Sequence, residues 1–337
     1  MTIRAFICGC AGTALTDEEA KFIARNQPWG LILFKRNVEN ADQIRALTSH
    51  FRALVDRAHA PVLIDQEGGR VQRMGSPHWP AYPAAATFDT LTKFSADERR
   101  DLVRLSARLM AHDLRECGIN VDCLPVLDVP IPGSSNVIGN RAYSPLPARV
   151  AVLGRAAAEG MMAGGVLPVM KHIPGHGRAF ADSHLELPIV ETPADELAMH
   201  DFYPFKVNAD LPAAMTAHVV FTALDPRAPA TISRKIIRDK IRGDIGFDGL
   251  LMSDDLSMKA LGGTFQQKVR GALRAGCDIV LHCNGDMAEM QAVAEVTPIL
   301  SRKALQRAER ALLVTRHLPE PLDVVDARQR LQSALAN

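Results

Sequence analysis

Pro61-Val62-Leu63-Ile64-Asp65 is an apolar run that ends on an acid, and Gly249-Leu250-Leu251-Met252-Ser253-Asp254 repeats the pattern far down the chain. Neither run alternates polar with apolar residues, as a strand with one wet face would. Strands covered on both faces read this way, and they belong to parallel sheets flanked by helices. Six further apolar runs join Pro61–Asp65 and Gly249–Ser253 as candidate strands: Ala5–Cys8, Gly30–Phe34, Val121–Leu127, Val166–Lys171, Ala213–Thr216 and Asp278–Cys283. Segments of helical period lie between many of them: Ala41–Ala58, Ala96–Glu116, Ala148–Ala163, Phe265–Ala275 and Met287–Val296. In the first, Ile44, Leu47, Phe51 and Leu54 recur at spacings of three and four, as one buried helix face requires. Strands alternating with helices imply parallel pairing through crossovers.

Eight such strands in 337 residues predict a single (β/α)8 barrel of the TIM type, an α/β fold for which about 250 residues is typical, with strands irregular in places. A doubly wound open sheet is the rival, but its usual G-x-G-x-x-G turn is absent from the sequence. The Pro-rich stretch Pro77–Pro83 and the loop Pro130–Asn140 are short and local, so no linker divides the chain. Residues 1–337 are expected to form one domain, with a helical extension from about 300 to 337 packed outside the barrel.

Composition narrows the function. Hydrophobic residues make up 47% and charged residues 23% of the chain, and the net charge is +1. That is a globular balance with no basic excess for nucleic acid. Three tyrosines and two tryptophans offer little for base stacking. No apolar run approaches the roughly 20 residues that span a bilayer. The start, MTIRAFICGCAGTALT, places Cys10 among small residues, but its apolar part is too short for a signal peptide and supplies the first strand. A cytoplasmic protein with no membrane contact is expected. Cys8, Cys10, Cys117, Cys123, Cys277 and Cys283 form no C-x-x-C pair and read as buried free thiols in a reducing compartment.

In a parallel barrel, functional groups gather just after the strand C-termini. Ile64 runs into Asp65-Gln66-Glu67-Gly68-Gly69-Arg70-Val71-Gln72-Arg73, Leu127 into Asp128, Met170 into Lys171-His172, and Met252 into Ser253-Asp254-Asp255, while His218 follows Thr216 closely. Loops are polar in any protein. Carboxylates, arginines and histidines recurring at one end of the same barrel are harder to dismiss.

The densest cluster is K-H-I-P-G-H-G-R-A-F-A-D-S-H, residues 171–184. His172, His176 and His184, with Asp182 or Asp254, are the right donor types for zinc. Their spacing is not that of H-E-x-x-H, and Pro174 with two glycines opposes a regular helix. Gly175, Gly177 and Lys171 could cradle a phosphate, but the Walker spacing is absent. Asp182 and His184 could instead form an acid–base pair, the carboxylate fixing the imidazole tautomer. A capping Asp and a solvated His fit the same residues equally well. Asp254 and Asp255 pose a similar choice. One carboxylate can attack an anomeric carbon and the other can cap a helix near Leu256–Ala260; Asp254 is preferred for the chemistry and Asp255 for the cap, although adjacency alone does not decide it.

These stretches resemble bacterial β-N-acetylhexosaminidases of glycoside hydrolase family 3. K-H-I-P-G-H-G-x-x-x-x-D-S-H is similar to that family's signature, and I-D-Q-E-G-G-R-V-Q-R to its second one. N-V-D-C-L-P-V-L-D-V, I-G-N-R-A-Y, S-D-D-L-S-M and the early A-G-T-A-L-T-D-E-E fit as well, in order from about Gly9 to Asn284. Ile173 stands where many relatives have Phe. The resemblance implies a catalytic barrel without the second sandwich domain of longer members. It further implies Asp254 as nucleophile, His184 as general acid/base and Asp182 as its dyad partner. Asp65, Arg73, Arg141, Lys171 and His172 fall where the N-acetylglucosamine unit is held. For Arg70 a loop-buttressing role is preferred, and His176 is expected to order its loop. The implied activity is retaining, exo-acting β-N-acetylglucosaminidase on small-molecule 1,6-anhydro-muropeptide fragments of cell-wall recycling. No cofactor, no metal, no nucleic acid and no obligate protein partner are expected. A phosphorylase on the same scaffold, a metal-dependent barrel hydrolase and a non-catalytic sugar-binding module are the alternatives.

Overall fold

The computed structural model describes residues 2–181, 183 and 186–336. Eight parallel strands close into a barrel: β1 (Arg4–Cys8), β2 (Pro28–Leu33), β3 (Val62–Ile64), β4 (Val121–Asp122), β5 (Leu167–Ile173), β6 (Ala213–Thr216), β7 (Leu250–Asp255) and β8 (Ile279–His282). Each pairs with the next in chain order, and β8 returns to β1 in the register Phe6↔Val280, Ile7↔Leu281, Cys8↔His282. All eight runs expected from the sequence are barrel strands.

Successive side chains point to opposite faces of each strand. Ala5 and Ile7 therefore pack in the lumen with Leu63, Val169, Met252 and Leu281. Phe6 and Cys8 face outward into a second layer shared with Phe22, Leu47 and Phe51 of the surrounding helices. Both faces are dry, which is why the strands carry no polar alternation. Side chains fill the lumen, and its lower end is closed by Leu300, Ala308 and Ala311. The last two belong to helix Arg302–Leu312, tied to the strand starts by Arg307, which pairs with Asp278 at 3.1 Å and also with Asp248. The final helix, Val324–Leu335, lies against Ala96–Glu116, with Arg328 bonded to Asp113 at 2.6 Å. The helical tail thus packs outside the strands as expected, and its first helix also plugs the bottom.

One local expectation shifts, and two elements appear that the sequence reading did not name. Val121–Leu127 keeps a regular ladder only over Val121–Asp122. Pro125 has no N–H to offer, and pairing with β5 resumes through Leu127 N–H to Lys171 O at 2.7 Å and Lys171 N–H to Pro125 O at 2.9 Å. Helix Asp17–Asn26 lies between β1 and β2, where the sequence pattern suggested none. Its start is a capping box in which Thr16 and Glu19 exchange side-chain-to-backbone bonds at 3.2 and 2.8 Å. The other Glu19 oxygen takes the Ala11 N–H at 2.7 Å, so the A-G-T-A-L-T-D-E-E stretch shapes the loop above β1. Between β6 and β7, where the sequence reading placed no helix, the chain forms a π-helical segment, Ile236–Asp244.

Ile7 is 0% exposed in the centre of the lumen. Ile7→Ala is expected to lower unfolding free energy by about 2–5 kcal/mol, because a packed lumen cannot collapse onto the cavity. Ile7→Val should cost about 1 kcal/mol. Denaturant titration of both variants checks the ordering, and equal midpoints would contradict a filled barrel.

Candidate active site

The upper rim of the barrel is built from the segments that follow the strands. Beyond β3, Gln66–Gly68 and Val71–Gln72 form an antiparallel hairpin. Gly68, at φ +86°, is needed at the bend, because a Cβ there would lie 2.3 Å from Pro83 O. The buried Gln66 side chain accepts the Arg73 and Met74 N–H groups, each at 3.0 Å, and donates to Met74 O at 2.8 Å. This turns Arg73 back over the strand end. Its guanidinium lies 5.1 Å from the Phe34 ring centroid and 3.0 Å from Asp65 Oδ2.

Asp65 opens a buried chain of alternating charge. Lys171 Nζ, from β5, contacts Asp65 Oδ1 at 2.9 Å and Glu67 Oε1 at 2.6 Å. Arg141, from the loop after β4, grips both Glu67 oxygens at 2.8 Å. Burial alone would push both carboxyls up, but Lys171 and Arg73 hold Asp65 well below its ordinary range, and Lys171 with Arg141 lowers Glu67. Burial likewise opposes the Lys171 charge, yet the two carboxylates raise its pKa. The chain thus sets three cations, Arg73, Lys171 and Arg141, against two carboxylates, Asp65 and Glu67.

A second cluster centres on Asp128, buried after β4. Its Oδ2 binds His172 Nδ1 at 2.7 Å, and its Oδ1 accepts the His172 and His176 N–H groups at 3.2 and 2.7 Å. A carboxylate on Nδ1 fixes the proton there and leaves His172 Nε2 for the cavity. Burial first favours the neutral Asp128, but His172 outweighs it and lowers the pKa. His176 Nε2 bonds Ser183 Oγ at 3.0 Å, and the Ser183 carbonyl accepts the Ala260 N–H at 3.3 Å. His176 thus ties its own loop together, as expected of a residue that orders it.

The two adjacent acids at the end of β7 differ in their partners. Asp255 is committed to structure: Oδ1 accepts the Ser257 and Cys283 N–H groups at 3.0 and 3.1 Å, and Oδ2 accepts the Ser257 hydroxyl. Residues 256–260 form turns rather than the expected helix, so Asp255 caps a turn. Asp254, half-buried, faces the cavity, with Oδ1 accepting the Asp255 N–H at 2.8 Å.

A cavity of about 530 Å³ brings Asp65, Arg73, Arg141, Lys171, His172 and Asp254 together. Asp182 and His184, the expected dyad, lie outside the described residues. Arg70 hydrogen-bonds the carbonyls of Val137 and Ile138 at 2.8 and 3.2 Å, a buttress of the rim loop made with backbone rather than with a carboxylate. Glu67 and Asp128 do not stand out as site residues in the sequence, although both lie in the motifs. Their roles are set by Arg141 and His172, which are remote in the chain. Among the described residues, no three His, Cys, Asp or Glu side chains converge as a metal-binding group.

His176 has its pKa lowered to about 4, first by burial and then by His172, against opposing pulls from Asp128 and Asp254. The unfolded chain binds a proton near 6.5, so folding stability is expected to fall as pH drops from about 6.5 toward 4. The contribution of this residue is on the order of 3 kcal/mol. The depressed pKa values of Asp65 and Glu67 act lower, their stabilisation being complete above the ordinary carboxyl range and lost below it. Denaturation midpoints of wild type and His176→Gln between pH 7 and 4 test this. The variant should show the flatter profile, and parallel profiles would refute a buried neutral His176.

Comparison with known proteins agrees with this architecture. Residues 5–313 match the N-terminal domain of glycosyl hydrolase family 3. The chain is 37% identical over 332 residues to a β-hexosaminidase of Alkalilimnicola ehrlichii, covering 97% of this chain and 88% of that one. It is 37% identical over 297 residues to a β-hexosaminidase of Pseudomonas aeruginosa, covering 85% and 86%. The fold superposes on NagZ from Neisseria gonorrhoeae in complex with N-trifluoroacetyl-D-glucosamine with a TM-score of 0.85 at 32% identity, over 100% of this chain and 97% of that one. The closed barrel with its rim of acids and bases belongs to an enzyme: the chain is a member of glycoside hydrolase family 3.

Proposed function

We propose that the chain is a retaining exo-β-N-acetylglucosaminidase that removes terminal non-reducing N-acetylglucosamine from 1,6-anhydro-muropeptide fragments during peptidoglycan recycling. One observation carries this. Asp254 shares its cavity with a cluster of fixed charges suited to a single sugar. Asp65 can accept sugar hydroxyls, and Arg73, Arg141, Lys171 and His172 can serve the hydroxyl and acetamido oxygens. The names of the curated relatives, and the N-acylated glucosamine bound by the Neisseria protein, support the same sugar class.

In the first step the Asp254 carboxylate attacks the anomeric carbon while His184 protonates the departing glycosidic oxygen. The bond to the leaving sugar breaks and a glycosyl ester on Asp254 forms. In the second step His184 takes a proton from water, whose oxygen attacks the same carbon and frees Asp254. Asp182 orients His184 and supports its charge. An imidazole suits this exchange, because its ordinary pKa already lies near neutrality. No metal or cofactor takes part in this scheme, residues 1–337 act as one catalytic barrel domain, and the substrate is a small molecule. A cytoplasmic location is part of the proposal, and six buried free thiols fit a reducing compartment.

Asp254→Ala should retain N-acetylglucosamine binding and lose turnover by at least about 10³-fold. Calorimetry and a chromogenic N-acetylglucosaminide measure the two quantities. Turnover near the wild-type rate would remove Asp254 from the chemistry.

A further inference from the structure

A buried hydrogen-bond ring closes around the backbone that carries Asp254. The Asp254 N–H points at Thr216 Oγ1, 3.4 Å away. Thr216 Oγ1 lies 2.8 Å from Thr231 Oγ1, which lies 2.7 Å from His218 Nδ1. His218 Nε2 lies 3.0 Å from the Asp255 carbonyl. Thr216, Thr231 and His218 are each 0% exposed. Thr216 ends β6, His218 follows it, and Thr231 sits on the short helical turn Ala230–Ile232. None of these three side chains lines the cavity.

The two ends of the ring fix its direction. A carbonyl only accepts, so the proton of His218 must sit on Nε2. A backbone N–H only donates, so Thr216 accepts from Asp254 and its own hydroxyl proton is free for Thr231. A neutral ring with Nε2–H presents a bare Nδ1, and the Thr231 hydroxyl supplies the donor. Every donor then has an acceptor, in the order Asp254 N–H, Thr216, Thr231, His218, Asp255 C=O. A competing arrangement sends the Thr231 proton to Ala217 O, 3.0 Å away. That arrangement requires protons on both ring nitrogens, which is an imidazolium. Burial is the main influence on His218 and lowers its pKa; Asp254 and Asp255 pull the other way, and Lys268 adds to the lowering. Hydrogen bonds aligned in one sense polarise each other and stiffen the ring.

We propose that His218 is a positioning residue for Asp254, holding the backbone on both sides of it through the Thr231–Thr216 relay as a neutral, Nε2-protonated imidazole. The proposal rests on Asp254 being the nucleophile. The Asp254 side chain has little freedom of its own, since its Oδ1 is held by the Asp255 N–H at 2.8 Å. Its carboxylate therefore goes where the Asp254–Asp255 backbone goes. The distance from the carboxylate to the anomeric carbon is set by a chain of groups away from the sugar, and small misplacements of this kind cost large factors in rate.

Two measurements test it. Thr231→Val removes the relay hydroxyl at nearly constant volume, and Thr231→Ser restores it. The valine variant should lose about 10–100-fold in kcat with KM and N-acetylglucosamine affinity within about twofold of wild type, and the serine variant should stay within about twofold in all three. A residue that only stabilised the fold would not produce this split or this rescue. Independently, the His218 signal in a ¹⁵N–¹H spectrum of wild type should be that of the neutral Nε2–H tautomer at neutral pH. It is identified among the 11 histidines by its loss in His218→Asn. A folded Thr231→Val with wild-type kcat, or a His218 that is cationic or protonated on Nδ1 alone, overturns the proposal. If the valine variant fails to fold, the wild-type tautomer decides. Normal turnover by Asp254→Ala would instead overturn the nucleophile reading, whereas an inactive Asp254→Ala beside a fully active Thr231→Val would remove only the positioning role.

Discussion

Lys171 is an ammonium group with 2% of its side chain exposed, at the mouth of a barrel whose lumen is otherwise apolar. Taking such a charge out of water costs several kcal/mol unless counter-charges are built around it. Asp65 and Glu67 provide them, and these carboxylates need Arg73 and Arg141 in turn. The chain of ion pairs spans the end of β3, the hairpin above it, the loop after β4 and β5. Removing one member leaves its neighbours buried and unbalanced, so the rim is fixed as a unit before any sugar arrives. Such fixed dipoles and charges can bind a neutral, hydroxyl-rich ligand without reorganising.

The same logic identifies anchoring acids elsewhere on the rim. Asp128 spends both oxygens on His172 and His176, Asp255 spends both on Ser257 and Cys283, and Asp254 is turned to the cavity. Ser183 is held by His176 on one side and by the Ala260 N–H on the other. The loop after β5 is thereby connected to the segment after β7.

The barrel is legible in the sequence because its strands are dry on both faces, and an uninterrupted apolar run as short as Pro61–Ile64, closed by an acid, suits a helix-covered parallel strand better than a surface element. Boundaries blur where backbone chemistry intervenes, as at Pro125, which breaks the ladder after Asp122. Helix Asp17–Asn26 escapes a reading by periodicity although T-D-E-E announces a capping box, because its apolar face is small: only Phe22 and Ile23 are buried hydrophobics. At the site, the residues proposed to hold the sugar are readable as motif positions. Glu67 and Asp128 lie in the same motifs, but nothing there marks their role, since a buried carboxylate gains its meaning from Arg141 or His172, which folding brings from 74 and 44 residues away. Between Asp254 and Asp255 the resemblance favours Asp254, and the structure adds a reason that adjacency does not: Cys283, which holds Asp255, is on the far side of the β7–β8 crossover.

The central proposal is that Asp254 forms the covalent bond to the sugar. Incubation of the wild-type enzyme with a slow, mechanism-trapping N-acetylglucosaminide, followed by peptide mass mapping, tests it directly. A single glycosyl adduct on Asp254 is the result this account predicts. An adduct on another side chain, Asp255 included, would contradict it.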